Sequence, residues 1–410
     1  MIKISDRISY VGVTDFEKKK FEGLWPLPYG VTYNSYIVAD EKTALIDTVD
    51  CNFKEEYLEN IKEALGGRTL DYLIVNHMEP DHSSLVAEIR NIYPELKIIA
   101  SVKAVPMLEG YHGIPSSNII AVKEGDTLSL GSCSFTFVMI PMVHWPETMV
   151  TWLGEENTLF SGDAFGTFGA VECTGDIYEE GHMAGAEVSE DGCFSEFRDE
   201  MIRYYSNIVG KYGAPVQAAL KKCAGLDIKR ICSTHGPVWT SQIPQVVALY
   251  DKLSKYQSEK GVCIAYSSMY GNTAKAAKAL AAELEKLGIP YGLHDLCLGD
   301  SDKNDLGQSG AIRDLFKYDT VAVGSPTYNA GIFPPAKSFM DAIAARCVKG
   351  KKFVAFGSYT WAAASVKLLD EMAVQSGQIL LNDGCSIAFP QAYSSEKCDM
   401  ASIAALIATK

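Results

Sequence analysis

Asn76-His-Met-Glu-Pro-Asp-His82, inside the run NHMEPDHSS, decides how this sequence is read. It spells H-x-E-x-D-H directly after a strand-like DYLIV, so two imidazoles and two carboxylates, His77, Glu79, Asp81 and His82, fall within six residues. That density suits a metal site with more than one ion. The third place of the pattern matters most. A related and commoner pattern has His there and usually holds zinc. Glu79 adds negative charge and hard oxygen, which favours iron or manganese.

Metal sites need several deprotonated ligands converging on one point. Working outward, three more candidates follow strand-like runs: His144 in PMVHWPET, Asp163 in FSGDAFG and His235 in CSTHGPVW. Loops at one sheet edge can converge, so the set is four His and three acids. Seven protein ligands exceed one tetrahedral zinc. They suit two ions with open positions left over, and a carboxylate such as Asp163 can bridge them. Two ferrous ions carry four positive charges, which three carboxylates and a bridging hydroxide cancel. Zinc, without redox chemistry, gains nothing from that balance. His112, His182 and His294 have no such context and read as structural.

The chain has 410 residues, more than one ordinary core, so two domains are expected. It is 47% hydrophobic and 21% charged, a globular composition. Its apolar runs are too short to span a bilayer. The start, MIKISDRISYV, lacks the apolar region of a secretory signal, so a cytoplasmic location is expected. A formal net charge of −14 argues against sequence-independent nucleic-acid binding, which needs basic surface. The 11 Cys are irregularly spaced, fitting free thiols in a reducing compartment, and no C-x-x-C occurs among them. A built-in rubredoxin-like iron module is thereby excluded from these residues.

Residues 1–254 mix short strands and helices: YIVAD and TALIDTV about a turn at Glu41-Lys42, a helix EEYLENIKEAL with Leu58, Ile61 and Leu65 on one face, then DYLIVN, LKIIAS, NIIAV, FTFVMI and TLFSG. The mixture suggests two sheets with helices outside. From about residue 255 strand alternates with helix, the pattern of an open parallel sheet. There GVCIAYSS precedes an amphipathic helix with Ala277, Leu280, Ala281, Leu284 and Leu287 inward and Lys275, Lys278, Glu283 and Lys286 outward.

This second half suggests a phosphate site. Ser267, Ser268, Met269, Tyr270, Gly271, Asn272 and Thr273 lead from a strand into that helix, combining hydroxyls, one Gly and a helix N-terminus. The pattern lacks both G-x-G-x-x-G and the P-loop Lys. It suits a single phosphate monoester, as in FMN. Two further loops follow strands of the same sheet: Ser325, Pro326, Thr327, Tyr328, Asn329 and Gly331 after DTVAV, and Ser358, Tyr359, Thr360 and Trp361 after KFVAF. Ligands of doubly wound sheets sit outside the carboxyl ends of the strands. Tyr328 and Trp361 could flank a flat ring there, and backbone near Asn329 and Gly331 could bond its polar edge.

The order HMEPDH, His144, SGDAFG, STHGP resembles the metallo-β-lactamase fold, and Glu79 makes it resemble the diiron branch of that fold, the flavodiiron proteins. SMYGNT, SPTYN and the Trp361 loop resemble the flavodoxin module of the same family, and the resemblance runs from Met1 to Lys410. It implies an α/β protein: an N-terminal metallo-β-lactamase-like αββα sandwich, 1–254, and a C-terminal flavodoxin-like doubly wound parallel sheet, 255–410. It implies that one iron takes His77, Glu79 and His144, the other Asp81, His82 and His235, and that Asp163 bridges. One departure stands out: Thr360, Ala362 and Ala363 occupy a loop that is usually richer in Gly.

The expected function is reduction of O2 to water, of NO to nitrous oxide, or both, at two non-haem irons re-reduced by FMN. The resemblance further implies a head-to-tail homodimer, or a dimer of dimers, fed by a rubredoxin-like donor on a separate chain. Two other readings stay open at this point. One is a dizinc hydrolase with a flavodoxin appendage; the other is a flavin electron carrier on a non-catalytic scaffold. Tyr204 or Tyr205 could supply a nearby hydroxyl, but no pattern places either.

Overall fold

The computed structural model describes residues 2–172, 181–185, 189, 191–298, 306–381 and 386–409. The chain forms two compact units, one of Met1–Lys19 with Tyr29–Ser254 and one of Lys20–Pro28 with Lys255–Lys410. The expected division, 1–254 and 255–410, placed Lys20–Pro28 in the first domain. Its hairpin, Lys20–Phe21 with Trp25–Pro26, instead belongs to the second unit, where the Arg346 guanidinium stands 5.5 Å from the centre of the Trp25 ring.

The first unit contains a seven-stranded and a five-stranded sheet. In the larger one, Thr43–Ile46, Tyr72–Val75, Lys97–Ser101 and Ile119–Val122 run parallel. Tyr72–Val75 is buried along its whole length, which is why its sequence is an unbroken apolar run and not an alternating one. The smaller sheet is ordered Thr127–Ser129, Ser134–Met139, Met149–Leu153, Thr158–Gly162, Arg230–Ser233. Helix Lys54–Leu65 forms where expected, but its buried stripe is Tyr57, Ile61 and Leu65. Leu58 is only half-buried; the Tyr57 hydroxyl takes the inner place because Ser35 Oγ, at 2.8 Å, satisfies it there.

Cross-bonds tie the two sheets together where the ligand loops emerge. Asn34 Nδ2 donates to the carbonyls of Ser233 at 2.9 Å and Gly236 at 2.8 Å. Thr151 Oγ1 donates to Asn76 Oδ1 at 2.7 Å. The strand end before His77 is thus bonded to the smaller sheet, and the strand end before His235 to the segment that leads into Tyr36–Ala39 of the larger one.

The second unit is built on an all-parallel sheet in the order Tyr291–Asp295, Glu259–Tyr266, Tyr318–Gly324, Lys352–Tyr359, the last pairing with both Ile379–Leu380 and Ile387–Pro390. Helices Asn272–Lys286 and Met400–Thr409 pack together over one apolar face. Of the expected inner row, Ala277, Leu280, Ala281 and Leu284 are buried, but Leu287 is exposed. It caps the helix just before Gly288 turns the chain away, outside the helical stripe that faces the core. On strand Tyr291–Asp295, His294 pairs with the buried Asp314 at 2.7 Å, and Gly292 leaves room for that carboxylate: a Cβ there would lie 1.7 Å from Asp314 Oδ2.

Strand Lys352–Tyr359 passes so close to the Ser325 loop that a Cβ on Gly357 would meet the Ser325 carbonyl oxygen at 1.9 Å. Backbone cannot swing aside like a side-chain tip. Gly357→Ala should therefore force strand and loop apart and lower unfolding free energy by about 1–3 kcal/mol, measured by urea denaturation. Unchanged stability would mean that the approach is looser than the geometry indicates.

Candidate functional site

The seven expected ligand residues converge in the first unit. His77 leaves strand Tyr72–Val75, and the chain then turns sharply through Glu79 into the short helix Pro80–Ser83, which carries Asp81 and His82. The Pro at the helix start fixes that turn. Asp163 follows Thr158–Gly162, where Gly162 adopts a φ of +56°, and His235 follows Arg230–Ser233. His144 sits in the loop between Ser134–Met139 and Met149–Leu153.

Two groups of side chains result: His77, Glu79, His144 and Asp163, and beside them Asp81, His82 and His235. In the first, His144 Nε2 lies 2.9 Å from Glu79 Oε2 and 3.1 Å from Asp163 Oδ2. His77 Nε2 lies 3.4 Å from His144 Nε2 and 3.5 Å from Asp163 Oδ2. In the second, His235 Nε2 is 3.3 Å from Asp81 Oδ2. Asp163 serves both: its other oxygen, Oδ1, is 3.3 Å from His82 Nε2 and 3.6 Å from His235 Nε2. Thr234 Oγ1 donates to that oxygen at 2.6 Å and so orients the carboxylate.

The electrostatics are those of a concentrated anionic pocket. Burial pulls the His82 imidazole towards its neutral form, but Asp163 and Asp81 outweigh it and push its pKa up to about 10. Burial likewise opposes charge on Asp163, yet the surrounding imidazoles hold it well below the carboxylate range. Both oxygens of Asp81 and both ring nitrogens of His82 are buried without a hydrogen bond. Leaving four polar atoms so is costly unless something else satisfies them. Cations between the two groups would do so, and the imidazole and carboxylate donors suit first-row transition metals.

Several neighbours escaped the sequence reading. Glu147 Oε1 lies 2.7 Å from His77 Nδ1; it stands only three residues beyond His144, which was the available signal. Burial opposes its charge, but His77 and the Met78 amide keep its pKa low. Asp47, in a left-handed turn at φ +53°, accepts from the Asn76 amide at 2.8 Å and so anchors the strand end before His77. Tyr33 and Tyr204 pack on His235, ring centres 5.7 and 5.6 Å away. Of the two tyrosines that no pattern could place, Tyr204 is therefore beside the pocket, while Tyr205 packs on Tyr250 at 5.1 Å. His182 and His294 pair with Glu196 and Asp314, outside the pocket.

In the second unit the three expected loops all leave carboxyl ends of neighbouring parallel strands. Ser267 and Ser325 are buried at the base. Ser268 Oγ accepts from the amides of Gly271 at 3.1 Å and Ala274 at 3.3 Å, folding the first loop onto the N-terminus of helix Asn272–Lys286. Gly271 turns there at φ +84°. Thr273 Oγ1 meets Ser358 Oγ at 3.1 Å, joining the start of helix Asn272–Lys286 to the end of strand Lys352–Tyr359. Thr327 Oγ1 accepts from the amides of Ala364 and Ser365, joining the second loop to the third. Ser358 and Tyr359 lie within strand Lys352–Tyr359 and not in the loop after it, because Phe389 and Pro390 extend the pairing. Asn329 and Ala330 take left-handed φ of +49° and +55° in the turn between Thr327–Tyr328 and Gly331–Ile332. Tyr270, Tyr328 and Trp361 are exposed to 90%, 41% and 86%. Large aromatics left open beside a helix N-terminus fit a ligand with a flat ring and a phosphate.

The family described as "ODP family beta lactamase" matches residues 31–236, and the flavodoxin family matches residues 264–399. The anaerobic nitric oxide reductase flavorubredoxin of Aliivibrio fischeri is 31% identical over 380 residues, covering 92% of this chain and 73% of the relative. The rubredoxin oxygen:oxidoreductase of Desulfovibrio gigas superposes with a TM-score of 0.86 at 29% identity, over 99% of this chain and 97% of that one. A variant of the flavo di-iron protein of Thermotoga maritima superposes with a TM-score of 0.83 at 25% identity, over 100% and 98%. With the two domains in this order and relatives alike over nearly its full length, the chain belongs to the flavodiiron protein family.

Proposed function

We propose that this protein is an oxidoreductase that reduces dioxygen to water, nitric oxide to nitrous oxide, or both, using two non-haem irons and FMN. The observation that carries the reading is Asp163, whose two oxygens face two separate imidazole–carboxylate groups. A structural carboxylate needs one partner set; a shared metal ligand needs two. The activities for which the relatives are named, nitric oxide reduction and rubredoxin:oxygen oxidoreduction, agree with it.

When bound, the iron pair supplies redox-active open positions for a diatomic molecule, and FMN supplies a store for two electrons. The rest falls to this chain's residues. His77, Glu79 and His144 would hold one ion and Asp81, His82 and His235 the other, with Asp163 available to both. All seven are buried or nearly so, which keeps bulk water from competing for the open positions. Ser268, Gly271 and Thr273 would receive the phosphate at the helix N-terminus, and Tyr328 and Trp361 would be available to the ring. Dioxygen to two waters takes four electrons and four protons; two nitric oxides to nitrous oxide and water take two of each.

The electrons come from a rubredoxin-type donor on a separate chain, the kind of donor named for the rubredoxin oxygen:oxidoreductase of Desulfovibrio gigas. A head-to-tail homodimer, or a dimer of dimers, brings one subunit's flavin to the other's metal pair. No helix among the described residues is long and apolar enough to cross a membrane, which suits a cytoplasmic site of action.

The purified protein is expected to carry two irons and one FMN, read by metal analysis and flavin absorbance. Two zincs with ester or lactam cleavage would replace the reading with hydrolysis, and FMN with no metal would replace it with electron carriage. Asp163→Asn should lower iron content or turnover by at least tenfold while the flavin spectrum stays intact. Full iron with unchanged O2 and NO turnover would remove Asp163 from its shared role. Thr273→Ala should weaken FMN retention about tenfold on dialysis, the cost of roughly one hydrogen bond to a charged group. Retention equal to the parent protein would move the phosphate elsewhere.

A further inference from the structure

One carboxylate outside the seven ligands distinguishes the two halves of the pocket. Glu147 places Oε1 2.7 Å from Nδ1 of His77, and the Met78 amide donates to the same oxygen at 3.0 Å. Its Oε2 is buried without a hydrogen-bond partner. The Glu147 backbone is pinned too, its carbonyl accepting from Ser101 Oγ at 2.6 Å. In the other half, neither imidazole Nδ1 is hydrogen-bonded to a carboxylate among the described residues. Nδ1 of His235 meets the neutral carbonyl of Thr32 at 2.7 Å, and Nδ1 of His82 is buried without a hydrogen bond. Asp47, the other buried carboxylate nearby, hydrogen-bonds to Asn76 and acts on His82 and His77 only through space, without holding an imidazole Nδ1.

The groups that face the ions directly are otherwise balanced. Each half offers two imidazoles, one carboxylate and one oxygen of Asp163. An imidazole whose Nδ1–H is held by a carboxylate has its tautomer and ring orientation fixed, and its Nε2 becomes the stronger donor. A peptide carbonyl fixes the tautomer but brings no charge.

We propose that Glu147 makes the two metal positions unequal: the position formed by His77, Glu79 and His144 binds its ion more tightly than that formed by Asp81, His82 and His235. Glu147 acts through His77 and is a positioning residue. The inference rests on the reading of the pocket as a metal pair.

Chelator-stripped full-length protein, titrated anaerobically with cobalt(II) and followed by visible absorption, tests this without turnover. His235→Asn isolates the first position and His144→Asn the second. The His235→Asn protein should bind cobalt at least tenfold more tightly than the His144→Asn protein. Adding Glu147→Gln should raise the dissociation constant of the former about 10–100-fold and leave the latter unchanged. Gln keeps the acceptor oxygen for His77 and Met78, and circular dichroism matching the parent confirms folding. Equal affinities, or a Glu147→Gln effect that is absent or falls on both positions, would overturn the proposal. Failure of the parent protein to take up two equivalents of cobalt would overturn the metal-pair reading itself.

Discussion

The Asp163 carboxylate, wholly buried between two sets of imidazoles, is the interaction on which the first unit is organised. A buried anion so placed is tolerated only if positive charge meets both oxygens. Four loops have to arrive at that point, and they come from both sheets. The cross-sheet bonds of Asn34 and Thr151 therefore do more than close the core: each ties a ligand-delivering strand end, that before His235 or that before His77, to a segment on the opposite side.

The second unit meets a different constraint with similar means. A helix N-terminus becomes a phosphate site only if the loop before it leaves its amides facing outward. Ser268 folds that loop back on itself, Thr273 ties the helix start to Ser358 at the end of the neighbouring strand, and Thr327 ties the second loop to the third. Side-chain hydroxyls thus hold three loops in register around an open face. The departures at Thr360, Ala362 and Ala363 leave this frame in place: Ala364 and Ser365, just beyond them, still donate to Thr327.

Much of the site was legible because metal and phosphate chemistry constrain residue type strongly and locally. Six residues with four ligand atoms cannot be mistaken for a solvated loop, and strand-then-loop placement identified His144, Asp163 and His235. The groups behind the ligands were not legible. Glu147 is one acid in an acidic chain until its distance to His77 is known. Tyr33 and Tyr204 lie far from every ligand in the sequence except through His235. Leu58 and Leu287 misled for the opposite reason: helical period assigns a face, but Tyr57 with its satisfied hydroxyl outcompetes Leu58, and Leu287 caps the helix outside the stripe that faces the core.

Residue order and type were enough to indicate two α/β domains, and to single out the H-x-E-x-D-H loop with three distant residues that converge on it and three loops at the carboxyl edge of the second sheet, since each depends on local chemistry or on periodicity along one element. Which residues share an oxygen of Asp163, which imidazole is backed by a carboxylate and which by a carbonyl, and to which unit Lys20–Pro28 belongs were decided only by the folded chain. Those are distances between segments remote in sequence, set by how two sheets pack and where their strand ends meet, and no pattern within one segment encodes them.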